Sequence, residues 1–200
     1  MLEMILPEMS IYGSHLDEMK SVMKALLDRI REGIEEIKLI TGMEPVEHLK
    51  CRIKTDESMR EKCRRCGLPE TVESALNSLH DAIGIRVVCS FLDDVYSIRD
   101  YITSQKEIEV IKEKDYIRNV KPNGYRSLHI IVRMNGYYAE IQLRTISMDT
   151  WAALEHHIWY KKQIRCNAAL IFEELKRCAD EFASTDASMQ TIRSMILEEE

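Results

Sequence analysis

An Asn-Gly pair at 135–136 lies between two runs of alternating residues, and it constrains the chain more than any other feature. Asn-Gly suits a type I′ turn because both central residues must take positive φ, and such a two-residue loop joins antiparallel strands. The turn fixes a register in which Met134 faces Tyr137, Ile131 faces Glu140 and His129 faces Gln142. Side chains alternate across a strand. One face therefore carries Ile130, Val132, Met134, Tyr137, Ala139, Ile141 and Leu143, a core surface. The other carries Ser127, His129, Arg133, Glu140, Gln142 and Arg144. That concentration of charged and titratable groups reads as the floor of a site.

The hairpin needs partners. Val87, Val88, Cys89 and Phe91 make 84–91 a buried strand, with Asp81 at its entrance and Arg86 inside it. An arginine in an apolar strand is costly unless it is paired or used. Residues 107–112 (EIEVIK) alternate and predict a third strand, and Leu49–Lys54 is a shorter extended piece. Helices surround these strands. Ser14 and Asp17 form a capping signal before a long helix with apolar residues at 16, 19, 23, 26, 30, 37 and 40, ending near Gly42. Shorter helices are predicted from Asp56 or Ser58 to Gly67, over 70–80, from Asp93-Asp94 to Ser104, and from Ser147 or Asp149. The Trp151 stripe of that last helix reads as core. Asn167 starts another helix, and the polar stretch 183–186 separates it from a short terminal one. This order predicts an α+β domain, a mixed sheet flanked by helices. The expected division is a helical segment over 1–44, a core over 45–162, and C-terminal helices over 163–200 that dock on the core or build an oligomer.

Composition narrows the classes. A net charge of −6 excludes a generic nucleic-acid coat. No apolar run is long enough to span a membrane, and MLEMILPEMS lacks the features of a secretory signal, so a cytoplasmic protein with reduced thiols is expected. Cysteines stand at 51, 63, 66, 89, 166 and 178. Cys63 and Cys66 form a lone CxxC with no second pair at zinc-finger spacing, which favours helix thiols over a metal site.

The chemistry follows from what the polar groups can do together. Asp81 and Glu140 lie on neighbouring strands, and two carboxylates plus substrate phosphates suit Mg²⁺. Arg52, Lys54, Lys62, Arg65, Arg86, Lys121 and Arg144 surround them with positive charge. Phosphoryl-type transfer needs this combination, because its rate comes from positioning and charge neutralisation. Lys121-Pro122-Asn123-Gly124-Tyr125 is a tight loop ending on a ring that can offer its face to a base. Neither G-x-x-x-x-G-K-[ST] nor G-x-G-x-x-G occurs, so a P-loop or Rossmann site is not supported. The residues by themselves indicate Mg²⁺-dependent phosphate chemistry on a nucleotide.

RIKTDESMREK (52–62), DAIGIRVV (81–88), DYIRNVKPNGYRSLH (115–129) and EIQLRTISMDTWAALEHHIWYK (140–161) resemble the synthetase domain of the RelA/SpoT family. The short chain, without flanking hydrolase or regulatory domains, resembles that family's small alarmone synthetases. The resemblance implies a nucleotidyltransferase-like fold and transfer of the β,γ-pyrophosphate of ATP to the 3′-hydroxyl of GDP or GTP. The products would be AMP and ppGpp or pppGpp. It implies Asp81 as a metal ligand, with Glu140 as a second ligand or as the base on the 3′-hydroxyl. Arg52 and Arg86 would sandwich adenine, while Lys54, Ser58, Lys62 and Arg65 would hold the ATP phosphates. Tyr125 would stack on guanine, Lys121, His129 and Gln142 would contact the guanosine substrate, and Asp149 would read its base edge. It also implies a homotetramer that binds product between subunits; the helical stripes at 16–40 and 171–196 would supply such contacts, but packing within one chain explains them as well and is the favoured reading for 16–40. Two departures stand out: Val120 replaces a common proline before Lys121, and the hairpin is short. Two alternatives remain at this stage. One is the same donor chemistry on an adenosine nucleotide or an RNA 3′ end. The other is an inactive module that binds nucleotide or single-stranded RNA.

Overall fold

Five strands form a mixed sheet in the order β1-β2-β5-β4-β3. The computed structural model describes residues 10–161 and 167–198. In chain order the elements are α1 (Leu16–Thr41), β1 (Val46–Ile53), α2 (Asp56–Arg65), β2 (Ile83–Cys89), α3 (Leu92–Ser104), β3 (Glu109–Asp115), β4 (Leu128–Met134), β5 (Tyr137–Thr145), α4 (Ile146–Lys161) and α5 (Ala168–Glu198). β2 and β5 run parallel, and every other neighbouring pair is antiparallel. This is the expected α+β class.

The central hairpin has the expected register, with Met134 opposite Tyr137, Ile131 opposite Glu140 and His129 opposite Gln142. Asn135 and Gly136 take φ of 50° and 87°, as a type I′ turn requires. Its apolar face is fully buried at Ile130, Val132, Ile141 and Leu143, against Ile83, Ile85 and Val87 of β2 and the apolar faces of α1 and α3. Each such side chain contributes about 1.5–3 kcal/mol on burial. Gly33 fills the gap in the α1 stripe for a steric reason. A Cβ there would stand 2.4 Å from the Tyr101 ring of α3, so only glycine lets the two helices approach this closely.

Several boundaries differ from the sequence expectation. Ser14 does not cap α1: a single 3₁₀ turn over Gly13–His15 runs straight into the helix, leaving no extended cap residue whose side chain could bond the first turn. The C-terminal end is as expected, with Gly42 left-handed and its N–H bonding Lys38. Residues 49–53 belong to a longer edge strand, β1, which ends one residue before Lys54. α2 is capped by Thr55, whose hydroxyl accepts from the Ser58 N–H. The short helix expected over 70–80 is present at 72–78, and its last five residues, Ser74–Ser78, are π-helical. β3 begins two residues later than predicted. Asp94 sits at the third position of α3 and accepts from the Phe91 N–H, so Phe91 is the cap residue. On α4 the stripe is buried at Met148 and Trp151 but exposed at Leu154 and Ile158.

The largest difference is α5. The polar stretch 183–186 does not break it. The hydroxyls of Thr185 and Ser188 donate back to the carbonyls of Glu181 and Ser184, and Asp186 accepts from Thr145 on β5. The helix continues over 31 residues and docks along its length. Trp151 donates to the Leu175 carbonyl at 2.8 Å, Arg126 reaches Asp180, and Arg193 forms a buried pair with Asp94 at 2.6 Å.

Candidate active site

Residues opposite one another in a sheet project to the same side, so the register arranges the polar face in rows. Arg52, Gly84, Glu140, Ile131 and Lys112 form one row across all five strands. Lys50, Arg86, Gln142, His129 and Lys114 form the next. Gly84 adds no side chain, and around it opens a cleft of about 630 Å³ lined by Arg52, Lys54, Asp81, Arg86, Glu140 and Gln142.

Asp81 stands just before β2. Its Oδ2 accepts from Lys54 Nζ and Lys62 Nζ, both at 2.5 Å, which ties the end of β1 and the α2 helix to one carboxylate. Burial pushes this carboxyl up, but the two ammonium groups outweigh it and hold it below the usual carboxylate range. Asp81 Oδ1 is buried with no hydrogen-bond partner among the described residues. Glu140, across the cleft, bonds His129 Nδ1 at 3.1 Å and accepts from Gln142 Nε2 at 2.8 Å. Its carboxyl is also held low: burial and the nearby Asp81 raise it, and His129 and Gln142 lower it further. Both groups are thus ionised near neutral pH and sense each other's charge. An orphaned carboxylate oxygen in a cleft that also holds a second carboxylate fits a hard divalent cation, whose remaining ligands would be phosphate oxygens and water.

The β4–β5 half is tied together around a buried arginine. Arg144 donates from Nη2 to the Tyr125 hydroxyl (2.6 Å) and to Gln142 Oε1 (3.1 Å), from Nη1 to Asp149 Oδ1 (3.0 Å) and from Nε to Ser127 Oγ (3.3 Å). The Tyr125 hydroxyl lies 2.9 Å from His129 Nε2. With Nδ1–H donated to Glu140, Nε2 accepts from Tyr125, giving one tautomer and one continuous chain of bonds. Arg144 and Ser127 are buried, so this end of the polar face is an internal network and not open floor. Asp149 Oδ1 also meets Arg86 Nη1 at 3.1 Å.

The loop carrying Tyr125 holds itself and is held from outside. The Gly124 N–H bonds the Lys121 carbonyl, and the Tyr125 N–H bonds Asn123 Oδ1. Gly124 has φ +89°, and a Cβ there would fall 2.7 Å from Ala179 Cβ on α5. Lys121 places its ammonium over two rings, 4.4 Å from Tyr116 and 4.9 Å from Tyr125.

Of the residues expected in the site, the structure gathers Asp81, Glu140, Arg52, Lys54, Lys62, Arg86, Gln142, His129, Tyr125, Lys121 and Asp149 on this floor and its rim. Ser58 and Arg65 lie on the exposed surface of α2 outside the cleft lining; the Ser58 hydroxyl meets Thr55. Sequence reasoning missed three contributors. Lys112 and Lys114 share rows with Glu140 and His129, a period-two signal carried by EVIKEK. Lys50 joins them through β1; it lies within the extended piece read over Leu49–Lys54 but was not assigned to the site. Cys63 is buried and Cys66 exposed, while Cys166 and the side chain of Trp159 lie outside the described residues.

The model for the region found in RelA/SpoT proteins matches residues 51–165. The GTP pyrophosphokinase YwaC of Bacillus subtilis is 36% identical, over 94% of this chain and 100% of that protein. The crystal structure of small alarmone synthetase 2 from Bacillus subtilis superposes with a TM-score of 0.73 at 36% identity, covering 87% of this chain and 96% of that one. Small alarmone synthetase 1 of the same organism, solved bound to its product pppGpp, gives a TM-score of 0.67 at 28% identity, covering 86% and 97%. With more than half its length matched by the family model and a full-length relative above one-third identity, this chain belongs to the RelA/SpoT family.

Proposed function

We propose that the chain transfers the β,γ-pyrophosphate of ATP to the 3′-hydroxyl of GDP or GTP, giving AMP and ppGpp or pppGpp. The observation that carries this reading is the Asp81–Lys54–Lys62 cluster facing the Glu140–His129–Tyr125 chain across one cleft. The first suits a triphosphate and the second suits a hydroxyl that must lose a proton beside a base.

Glu140 is ionised and oriented by two hydrogen bonds, so it can take the 3′-hydroxyl proton. The 3′-oxygen then attacks the β-phosphorus, the bond from that phosphorus to the α-bridging oxygen breaks, and AMP leaves with the electron pair. Lys54 and Lys62 neutralise the charge spread over the phosphates, with Ser58 and Arg65 at the outer end of the chain. Arg52 and Arg86 hold adenine. Tyr125 stacks on guanine, Lys121, His129 and Gln142 hold the guanosine, and Asp149 reads its base edge. Asp81 and Glu140 would hold Mg²⁺, which would neutralise the transferring phosphates and lower the basicity of the attacking oxygen.

The substrates are cytoplasmic nucleotides, and no helix among the described residues is long and apolar enough to cross a membrane. The α1 stripe is core up to Ile37 while Ile40 at its end is exposed, and Ile192, Met195 and Ile196 of α5 are exposed as well. A second copy of the chain covering them would give a homo-oligomer, which light scattering would reveal as a mass above one chain. The central test incubates the protein with ATP and Mg²⁺ and offers GDP, GTP, ADP and a short RNA in competition. AMP together with a 3′-pyrophosphorylated guanosine nucleotide is expected. Folded protein that forms none, or that prefers ADP or RNA, overturns the reading.

A further inference from the structure

One carboxylate oxygen serves both halves of the floor. Asp149 Oδ1 takes Arg144 Nη1 at 3.0 Å and Arg86 Nη1 at 3.1 Å. The other oxygen, Oδ2, comes no closer than 3.9 Å to the His48 ring. A guanine edge presents two adjacent donors, N1–H and the 2-amino group, and a carboxylate receives such a pair with both oxygens. Oδ2 is free for one of them. Oδ1 is already shared between two guanidiniums, so one must yield.

The structure shows which one yields. Arg144 is buried and is also bonded to Tyr125, Gln142 and Ser127. Losing Asp149 would still leave it three partners. Arg86 is half-exposed, Asp149 is its one ion-pair partner among the described residues, and its Nε has no hydrogen bond. Burial and the neighbouring Arg144 and Arg52 disfavour its charge, which Asp149 favours. An Arg86 set free beside Arg144 needs another anion or a π face, and the cleft it lines is where the donor's adenine and phosphates would lie.

We propose that Asp149 couples the two nucleotide sites: the acceptor's guanine edge displaces Arg86 from the Asp149 carboxylate, and the displaced guanidinium then grips the donor. This deepens the pyrophosphotransferase reading and rests on Asp149 contacting the acceptor base. The coupling is positive and reciprocal. The donor holds Arg86 away from Asp149 as effectively as the acceptor drives it off, so each nucleotide tightens the other by the same factor.

Isothermal titration with α,β-methylene-ATP and Mg²⁺ tests this, because the analogue cannot react. The wild-type protein binds it about 5–10-fold more tightly when saturated with GDP, and binds GDP more tightly by the same factor when saturated with the analogue. Arg86→Gln removes the competitor. GDP alone then binds more tightly than to wild type, and the analogue no longer changes its affinity. A merely structural Arg86 would give the opposite sign. A wild-type factor within twofold of one, or GDP affinity in Arg86→Gln equal to or weaker than wild type, overturns the coupling. Asp149→Asn, checked for folding by circular dichroism, separates the underlying reading. If Asp149 reads the base edge, the preference for GDP over inosine diphosphate, which lacks the 2-amino group, falls several-fold. If that preference survives, the base-edge reading fails. If it falls while the wild-type sites bind independently, the coupling alone fails.

Discussion

The β1–α2 half of the floor and the β4–β5 half hold their cations in opposite ways. On the first, Lys50, Arg52 and Arg65 are exposed and form no ion pairs among the described residues, while Lys54 and Lys62 converge on a single oxygen of Asp81. On the second, Arg144 is buried with four partners, and Arg126 is fixed to Asp180 and the Ala179 carbonyl on α5. Loose cations adapt to a flexible polyanion and lose little individually when one is removed. A pre-wired frame presents its groups in one geometry, which suits discrimination of a rigid base and a single hydroxyl. The contrast teaches that the two halves should fail differently when altered.

The largest effect is expected where the halves meet. Asp81→Ala should lower turnover by about 10³-fold or more, with a stability change of about 1 kcal/mol or less in urea unfolding. A matching collapse of stability would mean that the carboxylate is structural. Arg144→Ala should do what no single β1–α2 substitution does. It strips a buried network and leaves Asp149 and Tyr125 without their shared partner, costing about 3 kcal/mol in the same measurement. Tyr125→Phe removes only the hydroxyl joining Arg144 to His129. It should raise the KM for GDP roughly tenfold and leave that for ATP unchanged, consistent with about 1.4 kcal/mol of hydrogen bonding. Equal shifts in both would break the comparison.

Acid sharpens it next. The carboxyls of Asp81 and Glu140 are held below their unfolded values, so both contribute stability that is full above the ordinary carboxylate range. That stability is lost as pH falls through their lowered folded values. Asp81→Asn should therefore show a shallower decline in Tm below pH 4 than the wild type. Asp94 behaves the other way, because burial outweighs Arg193 and raises its carboxyl. It adds nothing to the acid limb. The smallest effect is expected for Arg65→Ala: an ATP KM raised about threefold, a further weakening by salt, and no change in Tm.

How much of this was legible in the chain depends on how local each feature is. Asn135-Gly136 specifies its turn by itself, and from that turn the faces of β4 and β5 follow residue by residue. Arg86 was legible because a charge in an apolar strand demands a reason, and Asp81 because it stands at the entrance of that strand. β1 was underestimated because it is an edge strand beside the cleft. Only Val46 of its residues is fully buried, so no alternation announces it. α5 was split in two because serine, threonine and aspartate look like a break unless their back-bonds to the preceding turn are known. The Asp149 junction was not legible at all: it joins β2, β5 and α4, and no spacing in the sequence encodes that meeting.

The tip at Asn135-Gly136 has a practical consequence. Both residues are exposed, and no described residue lies within 4 Å of where a Gly136 Cβ would be. The strands leaving it are anchored by Ile130, Val132, Ile141 and Leu143. The backbone can therefore be cut, permuted or extended there while β4 and β5 keep their pairing. Glu140 lies four residues beyond Gly136, about 13 Å along the strand. A fluorophore grafted onto the tip would stand close enough to report nucleotide arrival and far enough away not to obstruct it.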